Sequence, residues 1–179
     1  LTLGELQFEN PAERKQDEAG ADTAGLYSKV NLSLAEDIDF NSRWSLDTSI
    51  KVQYALADKN LDGSEDLSLG GPNGVRLYPS SEHSAENGYL LQTELSYSLP
   101  SYKGINSRIS LFYDRGRAYM AEATPGFEAR TLQDLGIGYY LNYNDIFMNI
   151  HWAHKIDDED ITAEDDYEDK LLLQAGFVF

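Results

Sequence analysis

The chain contains no cysteine, three histidines, five prolines and only 14 Lys and Arg among 179 residues. Without cysteine there is no disulfide, no thiolate zinc site and no cysteine nucleophile. No apolar run approaches the roughly 18 residues that a transmembrane helix requires. The 31 acidic residues outnumber the bases and leave a net charge of -17. Such a surface repels phosphate, which sets nucleic acid aside as a partner. His83, His151 and His154 lack the spacing of a ligand set, so no metal and no cofactor is expected. Ser80 and Ser81 stand beside His83 only as sequence neighbours. Nucleophilic catalysis needs a base and an orienting group in register, so no enzymatic activity is expected. The acidic run from Asp157 to Asp169 offers carboxylate oxygens of the kind that bind Ca²⁺, but it lacks the spacing and glycine of an EF-hand, and a solvated loop is the favoured reading of the two.

Helical periodicity is also scarce, and no helix is expected. Alternation replaces it. In Trp44–Leu56 one face carries Trp44, Leu46, Ile50, Val52 and Tyr54, and the other Ser45, Asp47, Ser49, Lys51 and Gln53. Leu91, Leu95 and Tyr97 oppose Gln92, Glu94 and Ser96. Ile109, Leu111 and Tyr113 oppose Ser110, Phe112 and Asp114. Leu135, Ile137 and Tyr139 oppose Gly136, Gly138 and Tyr140. Similar alternation covers residues 146–153 and 171–179, and Leu26–Leu34 alternates less cleanly.

Period two also describes soluble sandwiches and lipocalin-like barrels. Strand length and loop length argue for a membrane barrel instead. Strands of about 9–13 residues match tilted transmembrane strands. The connections alternate: long at 9–25, 57–87, 121–131 and 157–169, shorter at 37–43, 100–107 and 143–145. Outer-membrane barrels have short periplasmic turns and longer outer loops. Most of the acidic residues fall in the long connections, so the negative charge belongs to one rim. The fold class expected is all-β, an antiparallel transmembrane β-barrel with about eight strands present in residues 1–179. The terminal Phe179 reads as the signal residue of the last strand, at an aromatic interfacial girdle.

The long connection after Leu56 contains Leu69-Gly-Gly-Pro-Asn-Gly-Val-Arg-Leu-Tyr-Pro-Ser-Ser-Glu82, followed by Gly88-Tyr-Leu-Leu-Gln-Thr-Glu-Leu95. Further on lies Leu111-Phe-Tyr-Asp-Arg-Gly-Arg117. Over about 67–179 the chain resembles the two-partner secretion transporters, the haemolysin activation/secretion proteins of ShlB/FhaC/HecB type. These carry an L-G-G-x-x-x-V-R-G/A-Y-P-x-x-E segment and an F-x-D-x-G strand. The resemblance implies that the loop at about 57–87 folds back into the lumen and that its Arg76 contacts Asp114, latching the loop. It makes Gly70, Gly71, Val75, Tyr78, Pro79 and Glu82 the loop motif, and Phe112 and Gly116 the strand motif. One departure is Leu77, where the family has Gly or Ala; the loop tip is therefore expected to pack differently.

The same resemblance implies a porin-like pore in the bacterial outer membrane for type V protein transport, exporting a large β-rich exoprotein without ATP. Partners would be that exoprotein, membrane lipids and lipopolysaccharide, and the barrel-assembly machinery during biogenesis. A whole member has a plug helix, two POTRA domains and sixteen strands. An eight-stranded barrel has a lumen just wide enough for side chains, too narrow for a folded-in loop of this length. The chain therefore reads as the C-terminal half of a larger barrel, with the plug helix and POTRA domains outside it. A barrel-assembly insertase of BamA/TamA type, and a self-contained small barrel acting as adhesin or lipid enzyme, are the alternative readings.

Overall fold

The computed structural model describes residues 1–56, 59–122 and 124–178. Eight strands form one antiparallel sheet: β1 (Thr2–Leu6), β2 (Gly25–Asp39), β3 (Trp44–Ala55), β6 (Asn87–Ser98), β7 (Ile105–Tyr119), β8 (Arg130–Tyr143), β9 (Ile146–Lys155) and β10 (Asp169–Phe177). Two short strands, β4 (Leu67–Ser68) and β5 (Ser84–Ala85), pair with each other inside the long connection between β3 and β6. In the large sheet each strand pairs with its sequence neighbours in the order β1-β2-β3-β6-β7-β8-β9-β10. Among the described residues β1 and β10 have one partner strand each. Among the described residues the sheet is thus a wall with two edges, at β1 and β10.

The faces invert the usual globular arrangement. Leu34, Ile109, Leu111, Ile137, Leu171 and Leu173 are exposed on one face. On the other, Ser96, Ser110, Asp114 and Asp134 are buried. A sheet with its apolar side out and its polar side covered suits a wall between lipid and a wet lumen. The covering element is the long β3–β6 connection, and the face it covers is the lumenal one. Leu69, Val75, Leu77 and Tyr78 of that connection pack with Leu90, Phe112, Ala118, Leu132 and Ala153 of the wall. Ile161 from the last connection completes the cluster. Full burial of each Leu, Val, Ile or Phe side chain in it contributes roughly 1.5–3 kcal/mol before ordering costs.

The turns between strands occupy residues 40–43, 99–104 and 144–145 on one rim, and the long connections 7–24, 56–86, 120–129 and 156–168 lie on the other. Strand β2 runs to Asp39, well past the weakly alternating Leu26–Leu34 segment, because register with β3 carries it from Lys29↔Ala55 to Asp39↔Ser45. Cross-strand pairing here overrides the local pattern.

The expectation of no helix is corrected by α1 (Pro11–Glu18) in the first long connection. Asn10 caps it by accepting the Ala12 N–H at 2.9 Å, and proline stands in its first turn. Local capping chemistry makes this helix, and it buries no residue; a search for an apolar stripe has nothing to find there. Phe179, singled out as the terminal signal, lies outside the described residues.

Candidate functional site: the lumenal loop and its seat

The loop tip is a compact set of turns. Val75 N–H donates to Leu69 O at 2.7 Å, Gly71 N–H to Tyr78 O at 2.9 Å and Gly74 N–H to Gly71 O at 2.9 Å. Two glycines are dictated by this geometry. A Cβ on Gly70 would stand 2.0 Å from the Pro79 carbonyl oxygen, and Gly71 has φ +93°. Both positions require the absent side chain.

Arg76 projects from this tip onto the lumenal wall. Its Nη2 is 2.8 Å from Glu94 Oε2 and its Nε is 3.2 Å from Asp114 Oδ2. The guanidinium carbon lies 4.0 Å from the centroid of the Phe112 ring. Its own backbone N–H also donates to Asp114 Oδ2, at 3.4 Å. The guanidinium is therefore shared between two strands and does not grip Asp114 with both of its prongs, as a bidentate pair would. The next N–H, of Leu77, donates to Asp134 Oδ2 at 2.6 Å.

The strand motif forms the seat. Phe112, Asp114 and Gly116 share the lumenal parity of β7. Phe112 lies under the guanidinium, Asp114 takes the ion pair, and Gly116 leaves room for the loop. A Cβ at Gly116 would meet Leu69 Cδ2 at 2.9 Å. On β8, a Cβ at Gly136 would meet the Phe112 ring at 2.2 Å. The wall glycines thus carve a depression for the arginine-bearing tip and the ring beneath it. Gln92 adds a hydrogen bond from Nε2 to Gly74 O at 2.9 Å. Tyr140 donates to Glu94, and His151 Nε2 lies 2.9 Å from the Tyr140 hydroxyl.

Leu77 is fully buried, with its N–H committed to Asp134. It is absent from the residues of positive φ, so a leucine meets no backbone penalty here. Its side chain joins the apolar cluster.

The outgoing limb of the loop ends at Glu82, whose side chain is fully buried. Arg130 Nη1 pairs with it, and the backbone N–H groups of Thr162 and Ala163 donate to it at 2.9 and 3.1 Å. Burial works against its ionisation, yet these donors hold its pKa below the ordinary carboxylate value. Tyr78 donates its hydroxyl proton to Asp157 Oδ1 at 2.6 Å. The incoming limb is tied by Lys29, whose Nζ donates to Glu65 O at 2.6 Å and pairs with Glu65 Oε2 at 2.9 Å. Nearby Asp66 is pushed up to about 6, first by burial and then by the charges of Glu86 and Asp62, with Ser84 opposing.

The structure brings Arg76, Asp114, Val75, Phe112 and Gly116 together, and it places Gly70, Gly71, Tyr78 and Pro79 in the turn that presents the arginine. Sequence reasoning does not single out Asp134 and Arg130, and it has Glu94 only within the Gly88–Leu95 segment, with no role. Glu94 has a signal, since it alternates with Leu95 to the polar parity. Asp134 stands one residue before the clear alternation of β8, and Arg130 begins that strand without any pattern of its own. The acidic run at 157–169 differs from a merely solvated loop. Asp157 and Asp166 are tied to buried donors. Among the described residues no group of His, Cys, Asp and Glu is arranged to hold a metal ion.

An antiparallel wall with its apolar face outward, and a loop folded back and ion-paired onto its inner face, defines the class of outer-membrane β-barrel transporters. The model of one such family, Haemolysin secretion/activation protein ShlB/FhaC/HecB, matches residues 7–139, and the chain belongs to this family of two-partner secretion transporters. The match reaches back well before residue 67, where the motif resemblance begins. A 68-residue stretch is 38% identical to the heme/hemopexin transporter protein HuxB of Haemophilus influenzae, covering 38% of this chain and 12% of HuxB. In fold, the chain is similar to CdiB from Escherichia coli with a TM-score of 0.74 at 22% identity, over 86% of this chain and 28% of CdiB. The chain thus spans a small part of the length of the relatives it matches.

Proposed function

We propose that this chain is the C-terminal half of a sixteen-stranded barrel that exports a large β-rich exoprotein across the bacterial outer membrane without ATP. The observation that carries this reading is the seated loop. Arg76 is held between Glu94 and Asp114 on the lumenal wall, and the tip blocks the inner face along three strands. A residue-specific seat inside a polar lumen is an arrangement for opening and closing a conduit.

In this reading POTRA domains preceding the chain capture the unfolded exoprotein, and the polymer passes along the lumen. Folding of the cargo outside draws it forward. Lipids and lipopolysaccharide contact the apolar face, and the barrel-assembly machinery inserts the wall. HuxB is a heme/hemopexin transporter by name; the exoprotein proposed for the present chain is of haemolysin, adhesin or toxin type.

The test uses the full-length transporter. In planar bilayers it is expected to conduct ions, and its deletion from cells is expected to abolish surface appearance of the exoprotein encoded beside it. Absence of conductance together with unimpaired secretion in the deletion strain would overturn the reading.

A further inference from the structure

The ion pairs of Arg76 hold the loop tip, but they do not touch its outgoing limb. We propose that the last outer connection, residues 156–168, is a strap that fastens the lumenal loop from the outside, with Glu82 and Arg130 as its buckle. This rests on the transport reading and adds a second gate to it: the strap parts before the exoprotein emerges.

The strap meets the loop through a set of contacts separate from the Arg76 seat. Glu82, its side chain fully buried, receives the N–H groups of Thr162 and Ala163 and the Thr162 hydroxyl, the last at 3.0 Å. Arg130, at the start of β8, joins the loop to the strap, pairing with Glu82 of the loop, with Glu159 Oε2 of the strap at 2.9 Å, and with the carbonyl of Asp160 in the strap. Tyr167 donates to Leu77 O at 3.1 Å, and Tyr78 donates to Asp157. Ile161 inserts into the apolar cluster between loop and wall.

The charge pattern explains how so acidic a segment can lie on a buried glutamate. It offers Glu82 backbone N–H groups and a hydroxyl, and turns its own carboxylates elsewhere. Asp166 accepts the Ile161 N–H and pairs with Lys155, both at 3.0 Å. Asp157 accepts the Gln133 and Glu159 N–H groups. The two aspartates brace the ends of the segment that carries the donors. Arg130 supplies the positive charge that balances Glu82. A carboxylate held by several N–H donors and a guanidinium is a strong, directional attachment. It is also a releasable one, because the strap groups in it are polar and find water once exposed, apart from Ile161 and the ring of Tyr167, which pack on the apolar cluster.

Two measurements on the full-length transporter test this. Hydrogen exchange followed by mass spectrometry is expected to show residues 156–168 exchanging roughly tenfold faster in E82Q and R130Q than in the unaltered protein, with the exchange of β7 and β8 unchanged. Equal exchange in the strap would overturn the proposal. The second is a cysteine pair, Glu82→Cys with Thr162→Cys, joined by a reducible cross-linker on cells. Cross-linked transporter is expected to lose at least tenfold of its secretion and to regain it on reduction. Undiminished secretion by cross-linked protein overturns the strap while leaving the transport reading intact. Failure of the unaltered transporter to secrete strikes the transport reading alone.

Discussion

Asp114 and Asp134 stand directly opposite each other on β7 and β8, and they hold consecutive residues of one loop. Asp114 takes the Arg76 side chain and N–H; Asp134 takes the Leu77 N–H. Both carboxylates are fully buried. The wall therefore grips the loop once through a charge and once through the main chain, and the two grips answer differently to substitution.

Arg76→Ala removes the cation shared by Glu94 and Asp114 and leaves two carboxylates on a covered wall. Breaking a buried pair from one side costs about 3–5 kcal/mol. The expected outcome is a loop that comes off its seat, read as faster hydrogen exchange over residues 69–82 and altered pore conductance. Arg76→Lys is expected to recover part of this, because an ammonium cannot reach Glu94 and Asp114 with the same planar fork. A conductance and exchange profile indistinguishable from the unaltered protein in Arg76→Ala would count against the latch.

Asp134 acts on the main chain, so its charge matters less than its oxygen. Asp134→Asn keeps an acceptor for the Leu77 N–H and is expected to change loop exchange by less than about 1 kcal/mol. Asp134→Ala strands that buried N–H and is expected to cost about 1–3 kcal/mol. The ratio of the two, measured by exchange at Leu77, checks the assignment. Equal effects would mean that the charge, not the hydrogen bond, matters at this position.

Much of the wall and part of the seat are legible in the sequence. Period-two alternation places Asp114 on the polar face, and the spacing of turn residues marks the long connections. Phe112, Asp114 and Gly116 share one face because a strand repeats every two residues. What alternation cannot carry is contact between distant segments. Nothing local to Arg130 or Thr162 says that they meet Glu82, since that meeting depends on how one loop lies over another. Asp134 is hidden for a related reason: apolar residues mark a strand, and the polar end of β8 near the rim has few of them. The helix Pro11–Glu18 is hidden because its signal is a cap and a proline, not a stripe.

The glycines separate close approach to backbone from close approach to side chain. Gly70→Ala drives a methyl group into the Pro79 carbonyl, a backbone atom at 2.0 Å. Gly116→Ala meets the end of the Leu69 side chain at 2.9 Å, which can rotate away. Overpacking costs typically about 1–3 kcal/mol. Gly70→Ala is expected at or above the top of that range and Gly116→Ala at or below the bottom, read from the thermal unfolding of the purified barrel or from loop exchange. The reverse order would show that the turn at Gly70 is more pliable than the wall.

Acidity acts in opposite directions on two carboxylates of the long loop. Burial opposes ionisation of Glu82, but Arg130, Thr162 and Ala163 outweigh it and lower its pKa from the ordinary 4.5. A lowered carboxylate contributes stability that is fully present above the unfolded value and disappears as pH falls through the folded one. Protection of the strap amides, taken relative to their intrinsic exchange at each pH, is therefore expected to be constant from neutrality to about pH 5 and to fall below about 4.5, and Glu82→Gln is expected to remove that fall. Asp66 is raised to about 6 by burial. Its contribution is fully present below its unfolded value near 4 and is lost as pH rises through about 6. Asp66→Asn is expected to make loop stability independent of pH between about 5 and 6, above the range in which Glu82 acts. At pH 7 it should add no more than about 1 kcal/mol, because the group is partly open to solvent. A strap that loosens between pH 5 and 7 in the Asp66→Asn variant would show that another group controls it.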